Sequence, residues 1–294
     1  MRPLLVLKSK MKKARITQPP QSREYLNFGI RKIVFEGGLG SQLLPLLEKY
    51  YLDSRGIPFV VDTSYFNIDS SLIQTRGGAA QRSFRLDFYG ISLDSLLVGS
   101  TQITPGLEVS QNRNFDLWDS DFWGFASELA TNLLPIDLDL LGAFKRSIGI
   151  EMGQQYSVVH VRRGDYLRVA SHIVSDSMWL GILEKVITLI SDNLIISSDS
   201  KIPEKTKNEV RKITSEMSIR VIYLEGDEID ECALHDFMRS ANLLIASNST
   251  FSFSAAILSN PETFCVIPSI FYGDTGLEEI NRGIRAAGDF FIVN

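Results

Sequence analysis

Residues 30–62 read IRKIVFEGGLGSQLLPLLEKYYLDSRGIPFVVD. The apolar run Ile30–Phe35 predicts a strand, and Gly37-Gly38-Leu39-Gly40 a loop. In the segment that follows, Leu43, Leu44, Leu46, Leu47, Tyr50 and Tyr51 recur at helical spacing, with Ser41 placed to cap the start and Gly56 to end it. Pro45 is tolerable there only in or near the first turn, because it has no N–H to give the preceding turn. Pro58–Asp62 reads as a second strand. Two strands joined through a helix must run parallel, so this stretch predicts a parallel α/β sheet.

The same rhythm extends outward. A helix rich in Trp and Phe is expected around Asp119–Leu134, then Pro135 and an amphipathic segment over Leu138–Ile148. The second half alternates: a strand at Ser157–Val161, a helix at Met178–Ile190, a strand at Asn193–Ser197, a helix at Pro203–Met217 and a strand at Ile219–Leu224. A helix at His235–Ala241, a strand at Leu243–Ala246, a turn at SNST leading into a helix, and Phe264–Ile267 close the series. Alternation in both halves predicts two Rossmann-like α/β domains facing a central cleft. The expected division is a basic extension over residues 1–29, an N-terminal domain over 30–150 and a C-terminal domain over 151–294.

Composition narrows the function. At 294 residues, 44% hydrophobic and 22% charged, the chain is long and apolar enough for two folded cores. A formal net charge of -5 opposes binding to nucleic acid. Cys232 and Cys265 cannot build a disulfide framework, which fits a reducing cytoplasm. The first fifteen residues carry Arg2, Lys8, Lys10, Lys12, Lys13 and Arg15 and no acid, and their apolar run Leu4–Leu7 is too short for a signal sequence or a membrane span. That stretch reads as a mobile tail; the sharper alternative is weak peripheral contact with the anionic inner face of a membrane.

Ligands of such sheets bind outside the carboxyl ends of the strands. Three segments end there: GGLGSQ (37–42), HVRRGDY (160–166) and SNST (247–250). Strand alternation sets His160 and Arg162 on one face and Val159 and Val161 on the other. Two adjacent arginines are costly to bury unless an anion offsets them, and a diphosphate is the leading candidate. Gly38 and Gly40 permit close backbone approach, while Asn248, Ser249 and Thr250 open a helix as an anion site. GGLGSQ lacks both the third glycine of a dinucleotide fingerprint and the Lys-Ser/Thr of a P-loop. Asp137-Leu138-Asp139 has the spelling of a metal-binding D-x-D, but it precedes LLGAFKRSI and is better read as a helix cap. No metal or other cofactor is assigned.

Taken in order, GGLGSQ, HVRRGDY and SNSTFSFS resemble the motifs of the GDP-fucose-dependent α-1,2-fucosyltransferases, glycosyltransferase family 11, and FRLDFYGI at 84–91 is similar to a further family segment. The sequence departs from the family pattern at Ser41, at Phe253-Ser254 and at Leu234. The resemblance implies a GT-B-like inverting enzyme that moves L-fucose from GDP-β-L-fucose to a sugar hydroxyl, with an oligosaccharide or glycolipid as acceptor. It assigns donor binding to the C-terminal domain and the acceptor side, with Gln42, to the N-terminal domain. On this reading Arg162 and Arg163 hold the departing diphosphate, Ser249 and Thr250 grip it from the other side, and Gly38 and Gly40 close over the sugar.

Other residues keep two readings. His160 is either a ligand contact or a packed strand histidine. Asp199 meets the nucleotide or caps a helix. Asp165 is the nearest candidate base, although two arginines beside it lower its basicity, and Asp176 and His172 are alternatives. Acceptor contacts are expected in Phe66–Ala80 and Phe115–Phe125. Competing functions are a fucosyltransferase of α-1,6 or protein O-linked type and an inactive nucleotide-sugar-binding protein.

Overall fold

The computed structural model of the chain describes residues 30–67, 83–101, 109–110, 120–164, 174–226, 229–268 and 290–293. The first expected unit is present: β1 (Ile30–Val34), α1 (Leu39–Ser54) and β2 (Phe59–Asp62). Short helices α2 (Ser64–Asn67) and α3 (Leu93–Leu96), a 3-10 turn at Leu86–Tyr89 and strand β3 (Val109–Ser110) follow. β1 lies between β2 and β3, parallel to both. Two helices, α4 (Ser120–Leu133) and α5 (Leu138–Ser147), lead to the second sheet.

That sheet holds β4 (Tyr156–Val161), β5 (Asn193–Ser198), β6 (Arg220–Glu225), β7 (Leu243–Ile245), β8 (Phe264–Pro268) and β9 (Phe290–Val293), interleaved with α6 (Asp176–Val186), α7 (Glu204–Thr214), α8 (Glu231–Arg239) and α9 (Thr250–Ile257). The order across the sheet is β6-β5-β4-β7-β8-β9, all parallel. Counted from β4 this is the 3-2-1-4-5-6 order of a doubly wound nucleotide-binding sheet. The α/β expectation is borne out, and two parallel sheets give the GT-B-like outline that the resemblance implied.

Several local expectations are corrected. Ser41 does not cap α1; Gly38 occupies the cap position without a side-chain hydrogen bond, and the helix begins at Leu39. Pro45 therefore lies beyond the first turn, leaving the Ser41 carbonyl without a helical N–H. α8 starts at Glu231 rather than His235, because the Asp230 carboxylate accepts the Ala233 N–H and opens the helix earlier. The series does not close at Phe264–Ile267: β9 pairs with β8 over Cys265–Pro268.

One buried cluster runs through both sheets, from Ile33, Leu43, Leu47 and Phe122 to Val158, Ile195, Leu244 and Phe253. The opposite face of the second sheet packs Val159, Val161, Ile196 and Ile245 against Trp179 and Leu183 of α6 and Val210 of α7. The first cluster is crossed by polar ties. Arg239 is 2% exposed and Asp236 fully buried. The Arg239 guanidinium donates to Asp236 Oδ1 at 2.9 Å, to the Leu258 carbonyl at 2.9 Å and to the Leu134 carbonyl at 2.6 Å. Asp236 also accepts the Tyr89 hydroxyl at 3.2 Å and the Asp137 N–H at 3.1 Å. A buried carboxylate held by so many donors ties α8 to the turn at Leu86–Tyr89 and to the α4–α5 junction.

Arg239→Met is expected to lower the unfolding free energy by about 3–5 kcal/mol, because it strands a buried carboxylate. Denaturant titration checks this, with both sheets lost in a single transition.

Candidate active site

In the second sheet the strand order reverses between β4 and β7. Doubly wound sheets open a crevice for ligands at that reversal, outside the carboxyl ends of the strands. β4 ends there in Arg162-Arg163-Gly164, and β7 runs through Ser247-Asn248-Ser249 into α9. Two of the three predicted segments therefore meet at the switch point.

Register decides what stands beside the arginines. Val161 pairs with Ser198, so the next residue on each strand brings Arg162 level with Asp199. Arg162 Nη1 lies 3.0 Å from Asp199 Oδ2. The other carboxylate oxygen accepts the backbone N–H of Arg163 at 2.8 Å and of Gly164 at 3.1 Å. A Cβ on Gly164 would sit 2.4 Å from Asp199 Oδ2, so any larger residue would push the carboxylate off the turn. Asp199 thus braces the arginine turn. Arg163 points the other way, and its Nη2 donates to Asp176 Oδ1 in the first turn of α6.

Each arginine thus has a carboxylate partner from its own chain. The electrostatic cost of the pair is offset before any ligand arrives, and that cost alone does not single out a diphosphate. Arg162 follows β4 at the switch point, and the neighbouring strand β7 leads into α9, whose starting backbone N–H groups favour an anion.

His160 is 5% exposed and shares a hydrogen bond of 2.9 Å between Nδ1 and Ser247 Oγ. Burial, with the Arg162 charge adding, lowers its pKa to about 3, so the ring is neutral at ordinary pH. It holds the loop after β7 in place, as the packed-histidine reading expected. Ser247 is also tied to Ser252, whose hydroxyl accepts the Ser247 N–H at 3.1 Å. Ser249 caps α9 by accepting the Phe251 N–H at 3.3 Å, a role that leaves its O–H available as a donor. Asn248 is buried beside it.

The glycine segment reaches the same place from the first sheet. Gly37 takes a left-handed φ of 71°. A Cβ on Gly40 would lie 2.4 Å from the Thr250 carbonyl and the Phe251 nitrogen, so α1 and α9 meet backbone to backbone. Ser41 Oγ and Thr250 Oγ1 share a hydrogen bond of 3.0 Å. A Cβ on Gly38 would meet nothing within 4 Å, so the protein's own packing does not demand a glycine there. Gln42 turns elsewhere. Fully buried, it donates to the Gly37 and Ser83 carbonyls at 2.8 and 2.9 Å and accepts the Arg85 N–H at 2.9 Å. Its amide holds the turn and the segment at 83–85 together.

Asp165, Tyr166 and His172 lie outside the described residues, as do residues 1–29, residues 68–80 of the first expected acceptor loop and residues 115–119 of the second; residues 120–125 of the second are not a loop but the start of α4, with Phe122 buried in the core. Asp176 is poorly suited as a base: burial alone would raise its pKa, but hydrogen bonds from Thr206 and Arg163 hold it below the usual carboxylate range. Asp137 accepts the N–H groups of Asp139 and Leu140 at 3.0 and 2.9 Å, which is the cap expected of that stretch. Among the described residues no cluster of three His, Cys, Asp or Glu side chains is grouped to hold a metal. Sequence reasoning missed Ser247 as the partner of His160. The signal was the repeated Ser at 247, 249, 252 and 254, too many hydroxyls for an apolar helix start.

Fold and switch point together describe a doubly wound α/β protein. Residues 133–283, just over half of the chain, match the model of glycosyl transferase family 11, and the chain belongs to that family. Among solved structures, POFUT1 in complex with GDP is similar at 15% identity over 78% of this chain and 69% of that one, with a TM-score of 0.37. The E. coli ADP-heptose lps heptosyltransferase II is similar at 10% identity over 90% of each chain, with a TM-score of 0.44. Both are distant likenesses. A comparison with curated proteins finds no match.

The buried histidines have a consequence for stability. His235 is fully buried between Tyr89 and Ser254, and burial holds its pKa well below the ordinary value, as it does for His160. The unfolded chain binds these protons below pH of about 6.5 while the fold refuses them. Stability should therefore fall as pH drops through about 6 toward 4, by at most about 1.4 kcal/mol per pH unit for each ring. Urea titrations at pH 7 and 5 check this, and His160→Gln should flatten the slope.

Proposed function

We propose that the protein transfers L-fucose from GDP-β-L-fucose to a sugar hydroxyl with inversion, the acceptor being a galactoside that gains an α-1,2 linkage at O2. The observation that carries this reading is Arg162, paired with Asp199 where β4 ends at the switch point between β4 and β7. Family membership supports the glycosyl-transfer class, and the three motifs support the donor.

The acceptor oxygen attacks the anomeric carbon while the bond to the GDP oxygen breaks. Sugar ring and leaving group separate charge, the ring becoming oxocarbenium-like as negative charge grows on the diphosphate. A preorganised cation at that diphosphate stabilises the transition state more than the bound substrate. The ion pair with Asp199 supplies the preorganisation, since the guanidinium needs no reorientation when charge develops. The N-terminus of α9, with Ser249 and Thr250, faces the same diphosphate. The acceptor proton passes to a base, for which Asp165 is the candidate. The arginine supplies the charge that other glycosyltransferases take from a divalent ion, so the reaction is expected to need no metal. Among the described residues no helix is long and apolar enough to cross a membrane; weak membrane contact through residues 1–15 belongs to the same reading.

Arg162→Lys keeps a charge and loses the fork, and should lower turnover at saturating GDP-fucose by about 10²–10³ with little change in melting temperature. Near-normal turnover would place the clamp elsewhere. In excess EDTA the wild type should keep its activity and give an α-fucoside by NMR; loss of activity restored by manganese, or a β-linked product, would count against the mechanism.

A further inference from the structure

We propose that Asp176 is a positioning residue for this clamp, acting on Arg162 through Arg163 and touching no substrate itself. The inference rests on reading the strand end as a diphosphate site. Arg163 shares the parity of Val161, whose side chain packs in the cluster on the α6–α7 side of the sheet. Its side chain is 16% exposed, and its Nη2 donates to Asp176 Oδ1. Asp176 is the first residue of α6, after the capping Ser175. That location favours a negative charge through the helix dipole.

The carboxylate is held from three elements. Oδ1 also accepts the Trp179 Nε1–H at 3.2 Å, and Oδ2 accepts the Thr206 hydroxyl at 2.5 Å. Thr206 belongs to the first turn of α7 and is buried. Arg163 is thereby anchored to α6 and α7 at once. Its own backbone N–H donates to Asp199, the carboxylate that fixes Arg162. A displacement of the Arg163 side chain therefore reaches Arg162 by two short steps, the backbone at 163 and the Asp199 carboxylate. Arg162 and Arg163 do different work: one meets the ligand, the other sets the turn that aims it. The alternation of the strand divides them, since adjacent residues face opposite sides of the sheet.

GDP affinity, measured by calorimetry on the purified full chain, tests the proposal. Asp176→Asn removes the charge and should weaken GDP binding about 3- to 30-fold, the scale at which residues without ligand contact alter binding. Asp176→Glu should recover part of the loss. If Asp176 acts through Arg163, the double variant Asp176→Asn/Arg163→Met should bind GDP no more weakly than Arg163→Met alone. Should Asp176→Asn fail to fold, Thr206→Val removes a single donor from the same carboxylate, and its GDP affinity should fall in the same direction by less. Unchanged GDP affinity in Asp176→Asn, or in Thr206→Val where only that variant folds, overturns the proposal. Additive losses in the double variant also overturn it, because they mean a direct role. If the wild type itself binds no GDP, the diphosphate reading fails and this proposal with it.

Discussion

The two sheets of this protein meet where one backbone touches another. Gly40 sits so close to Thr250 and Phe251 that a single added carbon would lie 2.4 Å from main-chain atoms. Backbone cannot yield as a flexible side chain can, so α1 and α9 keep this spacing only with glycine at the crossing. The contact fixes the glycine turn of the first sheet against the start of the helix that closes the switch point of the second. Around it the core is continuous, and the buried Asp236–Arg239 pair adds a polar tie from α8 to the turn at Leu86–Tyr89 and to the junction between α4 and α5. The site is therefore set by packing between the halves as much as by either sheet.

Electrostatics at the strand end follow a similar logic of fixed neighbours. Two adjacent arginines repel each other, yet each finds a carboxylate on its own side of the sheet, Asp199 for Arg162 and Asp176 for Arg163. Such pairing lowers the net field at the site while holding the guanidinium groups in one geometry. For a group that must stabilise charge appearing only in a transition state, fixed orientation is worth more than raw potential, because nothing has to move when the charge develops. The neutral, buried His160 serves the same end from two residues earlier on the same strand, by holding Ser247 and with it the loop that opens α9.

Much of this was legible in the chain. The strand–glycine–helix–strand pattern of residues 30–62 implied a parallel unit, since a crossover helix leaves no other direction for the second strand. The beat of strands and helices after residue 156 gave the second sheet, and the charged end of β4 marked where its ligand side lies. Boundaries shifted where a local cap outweighed periodicity: Asp230 opens α8 before its apolar spacing begins. Family membership was also legible, because three short motifs in a fixed order are written in the residues themselves.

Partnership was not. Side-chain alternation in β4 divides Arg162 from Arg163, but which carboxylate each would meet depends on strand register and on helices tens of residues away. Asp199 reads as a cap or a ligand contact until Val161 is seen opposite Ser198. Gln42 reads as a cleft residue until its amide is found donating to Gly37 and Ser83 and accepting from Arg85. Periodicity and composition are properties of neighbours along the chain, and they determined the class of fold and the segments that carry chemistry. Hydrogen-bond partners and close backbone approaches are properties of neighbours in space, and only the tertiary structure, through strand register within a sheet and packing between elements, decided them.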